Sequence, residues 1–173
     1  QHNFERVKQL APNSKIMSAI KADAYGHGLI QVAQALHDSD AFAVARVSEG
    51  LLLRAAGIQQ AIVILEGVSC VADLQAAADN DLSIVFHHAS QLQFLTTAQL
   101  SKPLRFCWLM LETGMHRLGL NIDQIDHALQ VLTTSPNITG EIGLMSHFAN
   151  SDLVADPRNQ QQLDALVECA ERY

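Results

Sequence analysis

The chain has 173 residues and a mass of 18.9 kDa, with 49% hydrophobic and 17% charged residues. That is the make-up of one domain with a packed core, and it excludes a disordered tail or a surface-dominated coiled coil. Eleven basic against eighteen acidic residues give −7 with no basic run, no apolar stretch reaches the ~20 residues of a membrane span, and Gln1 opens no basic-then-apolar leader, so neither nucleic acid nor a membrane is an expected partner.

Phe4, Val7 and Leu10 have helical spacing, so the sequence begins inside what reads as a helix, and we expect a slight truncation at this end. Lys15–Ile20 then reads as a short buried strand. It runs into Lys21-Ala22-Asp23-Ala24-Tyr25-Gly26-His27-Gly28, after which Leu29, Val32, Ala33 and Leu36 lie on one helical face within Leu29–His37. Lys21 thus has its amine at the mouth of a strand, and the two glycines permit a tight turn and close approach of a ligand to the backbone. A plain strand-to-helix turn with a solvated lysine is the bland alternative.

The alternation continues. Strands are expected over Ala41–Ala45, Ala61–Leu65, Ser83–Phe86, Leu104–Leu111 and Ile138–Met145, and helices over Ser48–Ala56, Cys70–Ala78, Ser90–Ala98, Ile122–Thr133 and Arg158–Arg172. Ser48 and Ser90 read as helix starts, Gly57 as a C-terminal stop, and Asp156-Pro157 as a start with proline in the first turn. Glu49 is most simply a first-turn helix acid, without a catalytic role. Strands alternating with helices imply a parallel sheet with right-handed crossovers, which either stays open or closes into a barrel. The count of six units suits an open doubly wound sheet, whereas a (β/α)8 barrel needs eight units and ~250 residues. Cys70, Cys107 and Cys169 are odd in number and lack the spacing of a metal knuckle or disulfide framework. We read them as reduced core thiols of a cytoplasmic protein and expect no metal site.

Two further segments end strands. Glu112-Thr113-Gly114-Met115-His116-Arg117-Leu118-Gly119 follows the fifth, and Ser146-His147-Phe148-Ala149 the sixth. Alone, Arg117 reads equally as a solvated arginine, and His147 as a hydrogen-bonded core histidine. Lys21, Arg117 and His147 nevertheless all fall at C-terminal strand ends, which in a parallel sheet is one rim of one cavity.

The lysine turn, Phe42-Ala43-Val44-Ala45-Arg46, Leu65-Glu66-Gly67, Thr113 to Gly119 and Ser146 to Ala149 together resemble alanine racemases through nearly the whole chain, in the family's order and approximate separations. The resemblance implies a TIM-type (β/α)8 barrel, here about six of eight units, lacking the C-terminal units and a C-terminal β-domain. With the first and sixth strands left as edges, we expect residues 1–173 to be part of a longer chain. It further implies pyridoxal 5'-phosphate as cofactor and interconversion of L- and D-alanine in a homodimer. Lys21 is then the Schiff-base lysine and one of two bases, Tyr25 lies against the cofactor phosphate, Arg117 near the phenolic oxygen and substrate carboxylate, and His147 against the pyridine ring. Such a lysine works as a base only where desolvation or nearby cations disfavour its protonated form.

The second base in the family is a tyrosine of the β-domain reaching across the dimer. Neither Tyr25 nor Tyr173 fits that role. The family's frequent lysine seven residues before the arginine is here Met110, so Arg117 needs another support, and a broader amino-acid specificity is an alternative reading. Glu112 replaces the usual aspartate, one methylene longer and expected to shift the loop, and Asp23 replaces a frequent asparagine. Loops after the seventh and eighth strands often build barrel phosphate sites. Without them we expect residues 1–173 alone to bind the cofactor weakly and racemise nothing. A non-catalytic cofactor-binding relic is the alternative of a different class.

Overall fold

The computed structural model describes residues 1–173. Fourteen elements run α1(His2–Leu10), β1(Met17–Ala19), α2(Lys21–Gly26), α3(Leu29–Ala35), β2(Ala41–Val44), α4(Val47–Ala55), β3(Ala61–Ile64), α5(Val71–Asp79), β4(Leu82–Phe86), α6(Ala89–Thr97), β5(Leu104–Met110), α7(Ile122–Thr134), β6(Ile138–Met145) and α8(Pro157–Arg172). No helix is long and apolar enough to cross a membrane. The six strands form one sheet, every neighbouring pair parallel, in the order β1-β2-β3-β4-β5-β6.

That order decides between the two architectures left open by the count of units. A doubly wound sheet reverses its strand order at a switch point, with helices on both faces. Here each right-handed crossover steps one strand onward, so the helices gather on one side, as in a barrel wall. The packing agrees. Alternate strand residues such as Phe42, Val44, Ile62, Ile64, Ile84, Phe86, Cys107 and Leu109 join helix residues Leu53, Leu74, Leu95 and Ile125 in one large core. The other face carries a smaller cluster of Val63, Val85 and Met110, with Met17, Leu65, Trp108 and Met145 against it. This is the inner, barrel-facing side. The wall is open, with β1 and β6 as its edges.

Local chemistry refines several expected boundaries. α4 starts at Val47 with Arg46 at its N-cap, so Ser48 lies inside the helix. α6 is capped by His88, whose Nδ1 accepts the Ser90 backbone N–H at 3.2 Å, so Ser90 is capped rather than capping. α4 ends as expected, with Gly57 N–H on the Arg54 carbonyl (3.0 Å) and Ile58 N–H on that of Leu53 (3.1 Å), the paired bonds of a Schellman stop. Asp156 accepts the Arg158 N–H at 2.9 Å ahead of Pro157. Of the three thiols, Cys107 and Cys169 are buried, and burial pushes Cys107 up to about 12, which leaves it inert. Cys70 is the correction: it is exposed at the start of α5, not a core thiol.

Candidate active site

All six strands deliver residues to one cavity of about 650 Å³ at their C-terminal ends, within the ~300–1,000 Å³ usual for small-molecule sites. Its floor is the inner apolar face, including Met17, Ala43, Leu65 and Met110. Its rim carries Lys21, Tyr25, Glu66, His87, Arg117 and His147. The four residues singled out from the sequence are therefore all brought together.

Lys21 opens α2, and this element is unlike any ordinary helix. Ala22, Asp23, Ala24 and Tyr25 all have left-handed backbone angles, with φ between 52° and 56°. The two glycines expected to permit the turn do take positive φ, 86° at Gly26 and 90° at Gly28, and four non-glycine residues ahead of them are left-handed as well. Each such residue costs about 1–2 kcal/mol against the right-handed conformation, roughly 4–8 kcal/mol for the run. Hydrogen bonds oppose that cost. Ala24 N–H donates to the Ile20 carbonyl (2.8 Å) and Gly28 N–H to that of Asp23 (3.0 Å). The Asp23 carboxylate accepts the Leu29 N–H (2.7 Å) and so also caps α3, and Glu49 Oε1 accepts the Ala22 N–H (2.7 Å). Asp23 is thus well used in place of the asparagine frequent in the resembling family. Tyr25 ends the run 63% exposed, its side chain on the cavity rim.

Arg117 stands on the loop between β5 and α7, and its guanidinium makes no hydrogen bond or ion pair within the chain. Met110, only 7% exposed, is committed to the apolar floor and offers it nothing. The support that replaces a neighbouring lysine is at the level of the backbone. Glu112, through one carboxylate oxygen, accepts the Gly114 N–H and through the other that of His116 at 2.7 Å. Glu112 N–H to the Leu120 carbonyl (2.9 Å) and Leu120 N–H to that of Met110 (2.8 Å) close the base of the loop. Gly119 is required there: its φ is +133°, and a Cβ would lie 2.7 Å from the Glu112 nitrogen. The longer acid is therefore what spans the loop.

His147 follows β6. Its imidazole makes no hydrogen bond, so it is not the satisfied core histidine of the bland reading; much of its surface is open. Partial burial of the ring, then the charges of Arg117 and Lys21, lower its pKa from the ordinary value. The neighbouring loops are pinned to each other. Thr113 and Ser146 hydroxyls lie 2.6 Å apart, and Gln162 of α8, 2% exposed, donates to Thr113 Oγ1 and the His147 carbonyl, both at 3.1 Å, while accepting the Ala149 N–H at 2.9 Å.

Sequence reasoning missed Gln162, although a signal existed: it interrupts the buried stripe continued by Leu166 and Cys169. It also missed His87. Gln91 Oε1 accepts the His87 backbone N–H (2.9 Å), and Gln91 Nε2 donates to His87 Nε2 and the Glu66 carbonyl, both at 3.0 Å. His87 Nε2 itself also lies 3.0 Å from the Glu66 carbonyl, so the ring, the Gln91 amide and that carbonyl form one compact cluster on the rim.

A parallel barrel wall that brings an amine from the end of β1, a guanidinium from the loop after β5 and an imidazole from the end of β6 onto one rim defines a β/α-barrel domain with a cationic cavity at the C-terminal ends of its strands. A family model described as alanine racemase, N-terminal domain, matches residues 1–173, and the chain belongs to that family. It is 42% identical over 160 residues to an alanine racemase of Shewanella loihica, covering 92% of this chain and 44% of that protein. To one of Pectobacterium carotovorum it is 43% identical over 163 residues, 94% and 45% of the two. The biosynthetic alanine racemase of Pseudomonas aeruginosa superposes with a TM-score of 0.88 at 36% identity, covering 95% of this chain and 46% of that one. The chain spans about half the length of the relatives it matches.

Proposed function

We propose that the protein carrying this chain interconverts L- and D-alanine with pyridoxal 5'-phosphate. The carrying observation is the convergence of Lys21, Tyr25, Arg117 and His147 on one cavity. The donor set fits that cofactor: an amine for its aldehyde, a cation for its phenolic oxygen, a flat imidazole for its ring and a phenol for its phosphate. When bound, pyridoxal phosphate supplies the electron sink that takes up the charge left on loss of the substrate α-proton.

The chain's own residues then have separable tasks. Lys21 Nζ takes or returns that proton on one face. Arg117, unpaired and on a braced loop, is available to the substrate carboxylate. The apolar floor of Met17, Leu65 and Met110 excludes water beneath them. Inversion also needs a proton donor on the opposite face. Tyr173 is unsuited, its hydroxyl bound to Asp126 of α7. We therefore assign the donor to residues beyond 1–173, supplied across a homodimer as the resemblance implies, in a cytoplasmic enzyme that supplies D-alanine for peptidoglycan or degrades it. Free of a neighbouring lysine, Arg117 also suits a second reading, a racemase of broader specificity.

The test is borohydride reduction of the full-length protein with pyridoxal phosphate, followed by peptide mass mapping and a racemisation assay with L-alanine. We expect a phosphopyridoxyl group on the Lys21 peptide, and loss of both adduct and turnover in Lys21→Ala. A folded full-length protein with no adduct at Lys21 would end this reading.

A further inference from the structure

We propose that Glu49 is a positioning residue for Lys21, a strut that fixes the lysine's backbone by tying its left-handed turn to the neighbouring strand. The proposal rests on Lys21 being the amine that takes the cofactor aldehyde.

The argument begins with where the β1–β2 pairing stops. Parallel partners run from Met17↔Ala41 to Ala19↔Ala43, and the Ile20 N–H still reaches the Ala43 carbonyl at 2.9 Å. Beyond Ile20 the chain turns left-handed and the backbone ladder ends. The Glu49 carboxylate takes over at that point. Its Oε1 accepts the Ala22 N–H at 2.7 Å, and its Oε2 accepts the N–H groups of Ala45 at 2.7 Å and Arg46 at 3.1 Å. One carboxylate thereby joins the end of β1 to the end of β2. Lys21 lies between the last backbone bond to β2, at Ile20, and the side-chain bond that replaces it, at Ala22. With both flanking residues held, the direction in which Lys21 leaves the backbone is held too.

The base of the strut is itself rigid. Glu49 stands in the first turn of α4, between buried Val47 and Gly50. The Gly50 backbone presses on the sheet so closely that a Cβ would meet Leu82 Cδ1 at 2.9 Å and Ile64 Cδ1 at 3.0 Å. An acid in a first helical turn ordinarily serves its own helix, and Glu49 does so through Arg46 N–H. Its reach to Ala22, 27 residues earlier, serves no helix of its own. Because Ala22 is left-handed at φ 54° with no glycine to ease it, the turn needs an outside hold, and Glu49 is the only side chain that bonds its first peptide N–H.

The experiment uses the full-length protein and follows the rate at which pyridoxal phosphate becomes borohydride-fixed on each lysine. Lys8, Lys15 and Lys102 act as internal controls for Lys21. Displacing a reacting group by ~1 Å costs about 10²-fold. We accordingly expect Glu49→Ala to slow fixation at Lys21 by roughly 10–100-fold, with the three control lysines unchanged. Ala22→Gly added to Glu49→Ala should recover part of the loss, because glycine takes the left-handed conformation without strain. A role confined to capping α4 would show no such rescue. Glu49→Gln keeps the length and one acceptor oxygen, should fall between wild type and Glu49→Ala, and carries the test if the alanine variant does not fold. Wild-type fixation at Lys21 with an unchanged rate in Glu49→Gln and Glu49→Ala overturns the strut while leaving the cofactor reading intact. No fixation at Lys21 in the wild type overturns the cofactor reading itself.

Discussion

His147 shares its cavity with Arg117 and Lys21, and its pKa is lowered by partial burial and by both cations. The sign of the consequence follows from proton linkage. Below the ordinary histidine value of 6.5 the unfolded chain binds the proton more readily than the folded one, so stability falls as pH falls. The contribution is intact above that value and is lost as pH drops through the lower, folded value. Melting temperatures of the full-length protein between pH 7.5 and 5 should therefore decline more steeply in wild type than in His147→Phe, and parallel slopes would contradict it. The same protonation adds a third positive charge beside the two cations of the rim. These three residues were legible in the sequence because Lys21 and His147 follow apolar runs directly and Arg117 stands on the loop just past one, and the phase of a parallel sheet puts every such end on one rim. Glu112 and Glu49 were harder. Their partners are backbone N–H groups across a loop or on another strand, and only the fold makes those neighbours.

Among elements, the apolar runs of β2 to β6 mark strands and the structure keeps all of them, β2 to β4 almost wholly buried and the edge strand β6 half-open with an exposed start. What composition could not signal was α2. Only Asp23 in Ala22-Asp23-Ala24-Tyr25 tolerates a left-handed conformation well, and the propensity of the other three argues against one. The turn exists because partners outside the tetrapeptide hold it: Glu49, the end of β1, and the Leu29 N–H that the Asp23 carboxylate accepts. Asn137 shows the same dependence on distant partners. It is 8% exposed at the start of β6, its Nδ2 donates to the carbonyls of Leu95 and Ala98, both at 2.9 Å, and its Oδ1 accepts the Leu100 N–H at 3.3 Å. It thus closes the end of α6 onto the β5–β6 edge of the wall. Replacing it by alanine orphans two carbonyls in the interior. Each orphan costs about 1–3 kcal/mol, so Asn137→Ala should destabilise by roughly 2–6 kcal/mol in denaturant titration. A loss below about 0.5 kcal/mol would show that water reaches these carbonyls and that the seam is looser than drawn.

At the scale of the molecule, six strand-helix units are compatible with two architectures, and counting cannot separate them. The order of pairing does, because it records the direction of every crossover, and direction leaves no trace in hydrophobic period. The same order leaves β1 and β6 as open parallel edges, which carry unpaired backbone groups. Behind them lies an inner face whose apolar cluster is lined on only one side, and the buried Trp108 indole N–H there finds no acceptor within residues 1–173. A burial cost of this kind is relieved by more chain or by another copy. Residues 1–173 expressed alone should therefore self-associate through these edges and bind a hydrophobic dye, whereas the full-length protein should scatter as a defined species without dye binding. Charges placed on the β6 edge, for example Thr139→Lys at its exposed start, should reduce the association by making edge-to-edge pairing unfavourable. A monodisperse monomer of residues 1–173 that binds no dye would mean that the wall closes on itself, and the pairing of β1 with β6 would then be the feature to look for.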